Sequence, residues 1–368
     1  MSSQQQPIVR VGIIGCGEIS QVAHIPTFCF LSDYFQITYL SDVSQNALDH
    51  CRKKVPGAPP KVTLNANELC ASTEVDAILV ATSDEYHAEH AIAALKNNKH
   101  VLVEKPMALN QRDAQSIIET EAHSKGRVMV GYMRRYAPAF EEAVKLVGGM
   151  EKILYARVRD IIGYNSTFVS QSGTFPKQFD DYPPSVIEDK ALRATMMVDQ
   201  GLRECDLEAT PGRFRMWRLL GSLGSHDLSA MRELLGMPGC CLGASLGTFW
   251  TALFQYPGFA VTYESGIDAV PRFGAHLEVY SEEKSVKVTY DSPYVKGLPV
   301  TMTICEKNEG GGYKETFVRR TYEDPYTAEF KQFHDFVVNG AVVKTTAQDA
   351  MKDLEIFQMI MKAGGSSI

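Results

Sequence analysis

Three short stretches of this 368-residue chain carry residue types and spacings suited to redox chemistry on a nucleotide. The first is Gly15-Cys16-Gly17-Glu18-Ile19-Ser20, directly after the apolar run Ile8–Ile14. Between a strand and a helix, a first glycine makes the tight turn and a second lets the backbone approach a pyrophosphate. The helix start, here opened by Glu18 and Ile19, then offers free N–H groups. Ser20 stands where the dinucleotide fingerprint has its third glycine. Asp42 ends the next apolar run, Phe35–Ser41, where an acid accepts hydrogen bonds from ribose hydroxyls. Val43-Ser44-Gln45 holds no Arg or Lys for a 2′-phosphate, so the pattern favours NAD over NADP. The plainer reading is an ordinary turn and an N-cap aspartate, but the strand before and the helix after argue for a cofactor. The second stretch is Val103-Glu104-Lys105-Pro106. A lysine at a strand's carboxyl end can donate a proton or steady an alkoxide; on chemistry alone, a surface salt bridge suits it equally. The third is Ser225-His226-Asp227, where an imidazole titrating near working pH is a candidate base; a structural histidine at a helix start is the bland alternative.

The elements that must hold these residues follow from periodicity. Over 8–133, apolar runs alternate with helical stretches: strands at Ile8–Ile14, Phe35–Ser41, Val75–Thr82, His100–Val103 and Arg127–Met133, helices at Ser44–Val55, Tyr86–Asn97 and from the Asn110 cap to Gly126. Such alternation predicts a doubly wound parallel sheet, a Rossmann domain over 1–133. Residues 134–368 read as an α+β domain for substrate binding and oligomerisation. It holds a helix at Pro138–Val147, a strand at Lys152–Ile162, period-two patterning over 243–322 and closing helices near 326–338 and 347–362. Residues 164–212 show little periodicity beyond a helix near 185–199 and are expected to form an insertion or cap lining the substrate. The fold class is therefore α/β: a Rossmann domain followed by an α+β domain with a large, mostly antiparallel open sheet.

Composition bounds the function. Lys+Arg is 37 and Asp+Glu 44, a net charge of −7 that offers no footprint for nucleic acid or an anionic membrane. The eight cysteines include no CxxC, which argues against a zinc site or a disulfide scaffold and for reduced thiols in the cytoplasm; no metal site is expected. The polar opening MSSQQQP has neither the basic nor the apolar region of a signal peptide. The most apolar stretch, 239–263, is broken by Gly243, Gly247, Gln255, Pro257 and Gly258 and reads as strands. Asn165-Ser166-Thr167 is a glycosylation sequon only by chance in such a chain.

Over nearly its whole length the chain resembles the glucose–fructose oxidoreductase, inositol 2-dehydrogenase and rhizopine-catabolism (Gfo/Idh/MocA) family. The resemblance rests on GIIGCGEIS, ATSDEYHAEHAIAALKNNKHVLVEKPMA, GYMRRYAPAF, LGSHDLSAMRELLG and YTAEFKQFHDFVVNG. It implies an NAD(P)-binding Rossmann domain and a homodimer or homotetramer built through the C-terminal sheet. Lys105 is implied to precede a cis proline beside the nicotinamide and substrate, with His226 as the catalytic histidine. Thr82, Ser83, His87 and Glu104 are implied to border the cofactor, and Arg134 and Arg135 to stand at the domain junction. The implied activity is hydride transfer between nicotinamide and a secondary alcohol or ketone of a sugar, polyol or cyclitol.

The sequence departs from the family at Ser222, where members with a full triad carry an aspartate four residues before the histidine. That carboxylate is then either missing or supplied from elsewhere, the candidates being Asp227, Asp189, Asp199 and Asp206, and Tyr164 is a fallback proton carrier. Arg134, Asp227 and Trp217 are expected to contact substrate, Trp217 either stacking on a sugar face or packing in the core. Two other classes fit the same motifs: a redox-assisted NAD-dependent glycoside hydrolase or lyase, and a non-catalytic NAD-binding regulator.

Overall fold

The computed structural model describes residues 6–365. The leader reading of MSSQQQP falls, except for Gln6 and Pro7, outside them. The chain divides into two compact units. One comprises Met1–Gly131, Ser172–Glu204 and Glu329–Lys352; the other comprises Tyr132–Gln171, Cys205–Ala328 and Asp353–Ile368. The first boundary falls close to the expected 133/134 division, but two later segments return to the first unit.

The first unit is built on six parallel strands: β1 (Val9–Ile14), β2 (Phe35–Ser41), β3 (Lys61–Thr63), β4 (Ala77–Val80), β5 (His100–Glu104) and β6 (Val128–Gly131), in spatial order β3-β2-β1-β4-β5-β6. The order reverses between β1 and β4, and ligands of such sheets bind beyond the strands' carboxyl ends at that point. The ends of β1, β4 and β5 bear Gly15, Thr82 and Lys105. β4 and β5 are almost wholly buried, which is why they read as continuous apolar runs. Phe28 packs on Phe35 and Phe330 at ring separations of 5.0 and 4.4 Å, an aromatic core beneath β1 and β2 that the late segment completes. The strand β3 and the helix Ala66–Ala71, which periodicity did not single out, are three and six residues long, too short to show a period.

Residues 172–204 are mostly helical. The helix Pro184–Glu204 runs five residues beyond the expected 199. It is fastened to the first unit by its own side chains. Asp189 accepts from the Tyr86 hydroxyl (2.8 Å), Arg193 pairs with Glu89 (2.6 Å), and Glu204 accepts from the N–H groups of Gln111 and Arg112 at the start of the next helix.

The second unit carries eight strands: β7 (Ile153–Gly163), β8 (Cys240–Ser245), β9 (Phe249–Tyr256), β10 (Phe259–Asp268), β11 (Phe273–Ser281), β12 (Lys284–Tyr290), β13 (Thr301–Lys307) and β14 (Tyr313–Val318). Their order is β14-β13-β12-β11-β7-β10-β9-β8, antiparallel except for the β7–β10 pair. One face is covered: on β9, Trp250, Ala252 and Phe254 are buried while Phe249, Thr251 and Leu253 are exposed. The helices Pro138–Gly148 and Ser225–Leu235 belong to this unit, the latter ending at Gly236. Among the described residues no helix is long and apolar enough to cross a membrane, and no cluster of three metal-ligating side chains forms. Among the described residues no disulfide is formed.

Candidate active site

The glycine turn is shaped by two close approaches and one open side. Gly15 has φ +103°, and a Cβ there would sit 2.4 Å from the Ala81 carbonyl oxygen. A Cβ on Gly17 would meet nothing within 4 Å, so that backbone faces open space where a pyrophosphate can come close. Ser20, in the third-glycine position, is buried and donates its hydroxyl to the Gly15 carbonyl (2.6 Å), closing the helix onto the turn. Glu18 is exposed and Ile19 half-buried beside it. Asp42 accepts from the N–H of Cys16 (2.6 Å) and of Ser44 (2.9 Å), which ties the ribose-side acid to the turn. Burial pushes its carboxyl above the usual range; the N–H donors oppose the shift and neighbouring Asp181 adds to it. These residues fit a dinucleotide.

At the end of β5, Glu104 is buried with one oxygen 3.0 Å from His24 Nε2 and the other accepting the Lys105 N–H (3.1 Å). Burial alone would raise the Glu104 carboxyl, but His24 and the Lys105 charge bring it below its ordinary value, so it is ionised. Glu329, from the late helix, is fully buried with neither oxygen hydrogen-bonded among the described residues. Burial, then Glu104, hold its carboxyl well above the usual range, so it stays protonated. Phe330 stacks on His24 at 5.7 Å. Lys105 is half-buried and its bond to Pro106 is cis.

His87, expected at the cofactor edge, is a buried strut. Its ring nitrogens lie 2.8 Å from the Pro106 carbonyl and 3.0 Å from that of Thr82, joining the loops after β4 and β5. Thr82 and Ser83 are half-buried beside it.

In the second unit a π-turn at Leu220–Gly224 leads into the helix of His226, a local irregularity frequent at functional sites. Ser225 donates to the Gly221 carbonyl (2.7 Å), and His226 is half-buried on the first turn. Beneath it Asp227 is fully buried, 2.5 Å from Arg134 Nη1; the same nitrogen lies 3.0 Å from Asp160 Oδ2. Arg134 stands over the rings of Phe273 and Tyr290, 5.6 and 5.0 Å from their centroids. Burial, then Asp160, push the Asp227 carboxyl up, while the Arg134 guanidinium opposes the shift.

Arg134 and Asp227 form a buried ionic anchor, and Trp217, 1 % exposed, packs edge-on to Phe357 at 5.8 Å. Arg135 pairs with Glu233 (2.5 Å). Ser222 is exposed. Of the acids considered as its substitute, Asp189 is engaged by Tyr86 and Arg193, Asp199 is half-buried on its helix, and Asp206 is exposed at φ +56°. Sequence reading missed His24, Asp160, Asp181 and Glu329. All four act through partners far along the chain, and no local spacing signals them.

The model of an oxidoreductase family with an NAD-binding Rossmann fold, Gfo/Idh/MocA, matches residues 9–132. A myo-inositol 2-dehydrogenase of Thermotoga maritima is 32% identical over 346 residues, covering 93% of this chain and 92% of that protein. The chain belongs to the Gfo/Idh/MocA family. Inositol 2-dehydrogenase 3 of Saccharopolyspora erythraea is 35% identical over 151 residues, 40% of this chain; the chain spans only 44% of that relative's length. Among solved structures, a 3-ketoreductase from Actinomadura kijaniata in complex with NADP and TDP-benzene superposes with TM-score 0.71. It is 16% identical, over 97% of this chain and 98% of that one, a likeness of fold. The first unit of this Gfo/Idh/MocA member is thus an NAD-binding Rossmann domain.

Proposed function

We propose that this protein is an NAD-dependent dehydrogenase acting on a secondary alcohol of a polyol, cyclitol or sugar, or on the corresponding ketone. The observation that carries the reading is Lys105, presented at the carboxyl end of β5 next to an ionised, buried Glu104, in the same sheet whose β1 ends in the open glycine turn. When bound, the nicotinamide accepts or donates the hydride. Gly15, Gly17, Glu18 and Ile19 form its pyrophosphate cradle, Asp42 holds the adenosine ribose, and Thr82, Ser83, His87 and Glu104 shape the loops beside it. Glu104 fixes the Lys105 backbone, and the lysine's charge steadies an alkoxide. His226 takes the alcohol proton during oxidation and returns it during reduction. Arg134 and Asp227 position His226, and Trp217 braces that unit's core. Relatives named inositol 2-dehydrogenase favour a cyclitol. We also place the protein in the cytoplasm, in keeping with eight cysteines that form no disulfide among the described residues. It is proposed to assemble as a homodimer or homotetramer through the eight-stranded sheet, whose outer face carries exposed Leu154, Phe249, Leu253 and Phe317.

Lys105→Ala and His226→Ala test the assignment. Each should lower kcat by about 10²–10⁴-fold, the usual worth of a proton-transfer group, while NAD affinity persists. His226→Ala should also flatten the rise of oxidation with pH. Near-normal kcat with an unchanged profile would move the proton to another carrier, Tyr164 being the first to examine.

A further inference from the structure

Residues 174–181 lie along the nucleotide end of the first unit, in contacts that the proposed chemistry does not use. The Gln21 side-chain amide donates to the Cys16 carbonyl in the glycine turn (2.9 Å) and to the Lys177 carbonyl (3.0 Å), and accepts from the Lys177 N–H (2.8 Å). Phe179 sits against the His50 ring at 5.6 Å, and Lys54 Nζ is turned to the Thr174 carbonyl at 3.4 Å. Asp181 closes the series. Its carboxylate accepts from the Asn46 N–H (2.9 Å) and from the Ser44 hydroxyl, at the start of the helix Gln45–Arg52. Ser44 thereby bridges two carboxylates, because its own N–H is held by Asp42.

A 2′-phosphate on the adenosine ribose would project from the sugar edge that Asp42 receives, and it needs donors or cations there. At the start of this helix the Ser44 N–H is taken by Asp42, and the Ser44 hydroxyl and the Asn46 N–H are taken by Asp181. The residues Val43 to Asn46 add no cation. We propose that Asp181 is a second cofactor-specificity residue, a built-in anion that occupies the place a 2′-phosphate would need and so holds the protein to NAD. Specificity of this kind works by building an unpaired charge against the wrong ligand. The inference rests on the reading that Asp42 faces the adenosine ribose.

The test is equilibrium binding of NAD, NADP and adenosine 2′,5′-bisphosphate to the full-length protein, by calorimetry without substrate. The variants are Asp181→Asn, Asp181→Glu and Asp42→Asn. Asp181→Asn keeps an acceptor for the helix start and removes the charge. It should tighten NADP and the bisphosphate by about tenfold or more while NAD changes by less than about twofold. Asp181→Glu should keep the parent selectivity. If Asp42→Asn gains NADP and Asp181→Asn does not, Asp181 has no role in selectivity and the inference fails alone. An equal gain in Asp181→Glu would overturn it too, since charge would not be the cause. If neither Asp42→Asn nor Asp181→Asn shifts the ratio, the ribose reading of Asp42 falls, and the inference with it.

Discussion

A single guanidinium, Arg134, balances Asp160 and Asp227 in a site where Asp227 and Asp160 have no exposure at all. Removing that charge leaves two buried carboxyls uncompensated. Arg134→Ala should therefore destabilise the fold by about 3–5 kcal/mol in chemical denaturation. A loss under about 1 kcal/mol would mean that the cluster is not an ionic anchor. The carboxyls of the first unit make a prediction about pH. Glu104 has a folded-state pKa below its unfolded value, so its contribution is present above the unfolded pKa of about 4.3 and is lost as pH falls through the folded one. Glu329 has the opposite sign: its contribution is present below about 4.3 and is lost as pH rises toward its folded pKa. On raising the pH from about 4 to neutral, Glu329→Gln should gain stability relative to the parent, whereas Glu104→Gln should lose it over the lower window, as pH rises from the folded pKa of Glu104 to about 4.3. Urea titrations at stepped pH would show this as two difference curves of opposite slope; slopes of one sign would contradict the assignment. Much of the site was legible where it is contiguous. The glycine turn, Asp42 and Glu104-Lys105-Pro106 are local motifs whose spacing carries the chemistry. His24, Glu104 and Glu329 form one cluster only because the helical turn Ser20–His24, the end of β5 and the helix Pro325–Asn339 converge, and a linear sequence has no sign for that. Residue type alone does not decide: an arginine, an aspartate and a tryptophan suit a sugar as well as a core.

At the element scale residues 164–212 are expected from sequence to form an insertion or cap, because they show little period; the structure returns 172–204 of them to the first unit. The segment's helix is legible near 185–199, and its purpose is not. Its anchors, Asp181 to Ser44 and Asp189 to Tyr86, span separations of more than 100 residues. Those anchors reach the nucleotide side of the unit, so the expected effect of trimming changes. Replacing residues 174–181 with a short Gly-Ser link should weaken NAD binding several-fold and narrow the preference for NAD over NADP. A trimmed protein that folds, binds NAD normally and shows only a raised KM for its alcohol would restore the substrate-wall reading. The strands were legible for a physical reason. β4 and β5 are buried on both faces and read as unbroken apolar runs, whereas β9 and β11 are covered on one face and alternate. The helix Gln111–Ala122 was marked by Asn110, whose side chain accepts from the Asp113 N–H at 2.7 Å.

At the scale of the whole molecule, a Rossmann unit and an open-sheet unit are assembled from interleaved stretches of chain, and membership of the Gfo/Idh/MocA family joins them to one chemistry. The change of rhythm near residue 134 announced the second unit; the return of 172–204 and 329–352 to the first was hidden, because packing partners are set by surfaces and not by order in the chain. The central claim is net hydride transfer from an alcohol to the cofactor. Its most direct test is the stoichiometry of NADH formed to alcohol consumed by the purified protein, screened across cyclitols, polyols and sugars supplied with NAD. The dehydrogenase reading predicts one NADH per alcohol oxidised, with Lys105→Ala depressed on the same substrate. Turnover without net NADH would instead mark a hydrolase or lyase that regenerates its cofactor, and tight NAD binding with no turnover on any of them would mark a regulator.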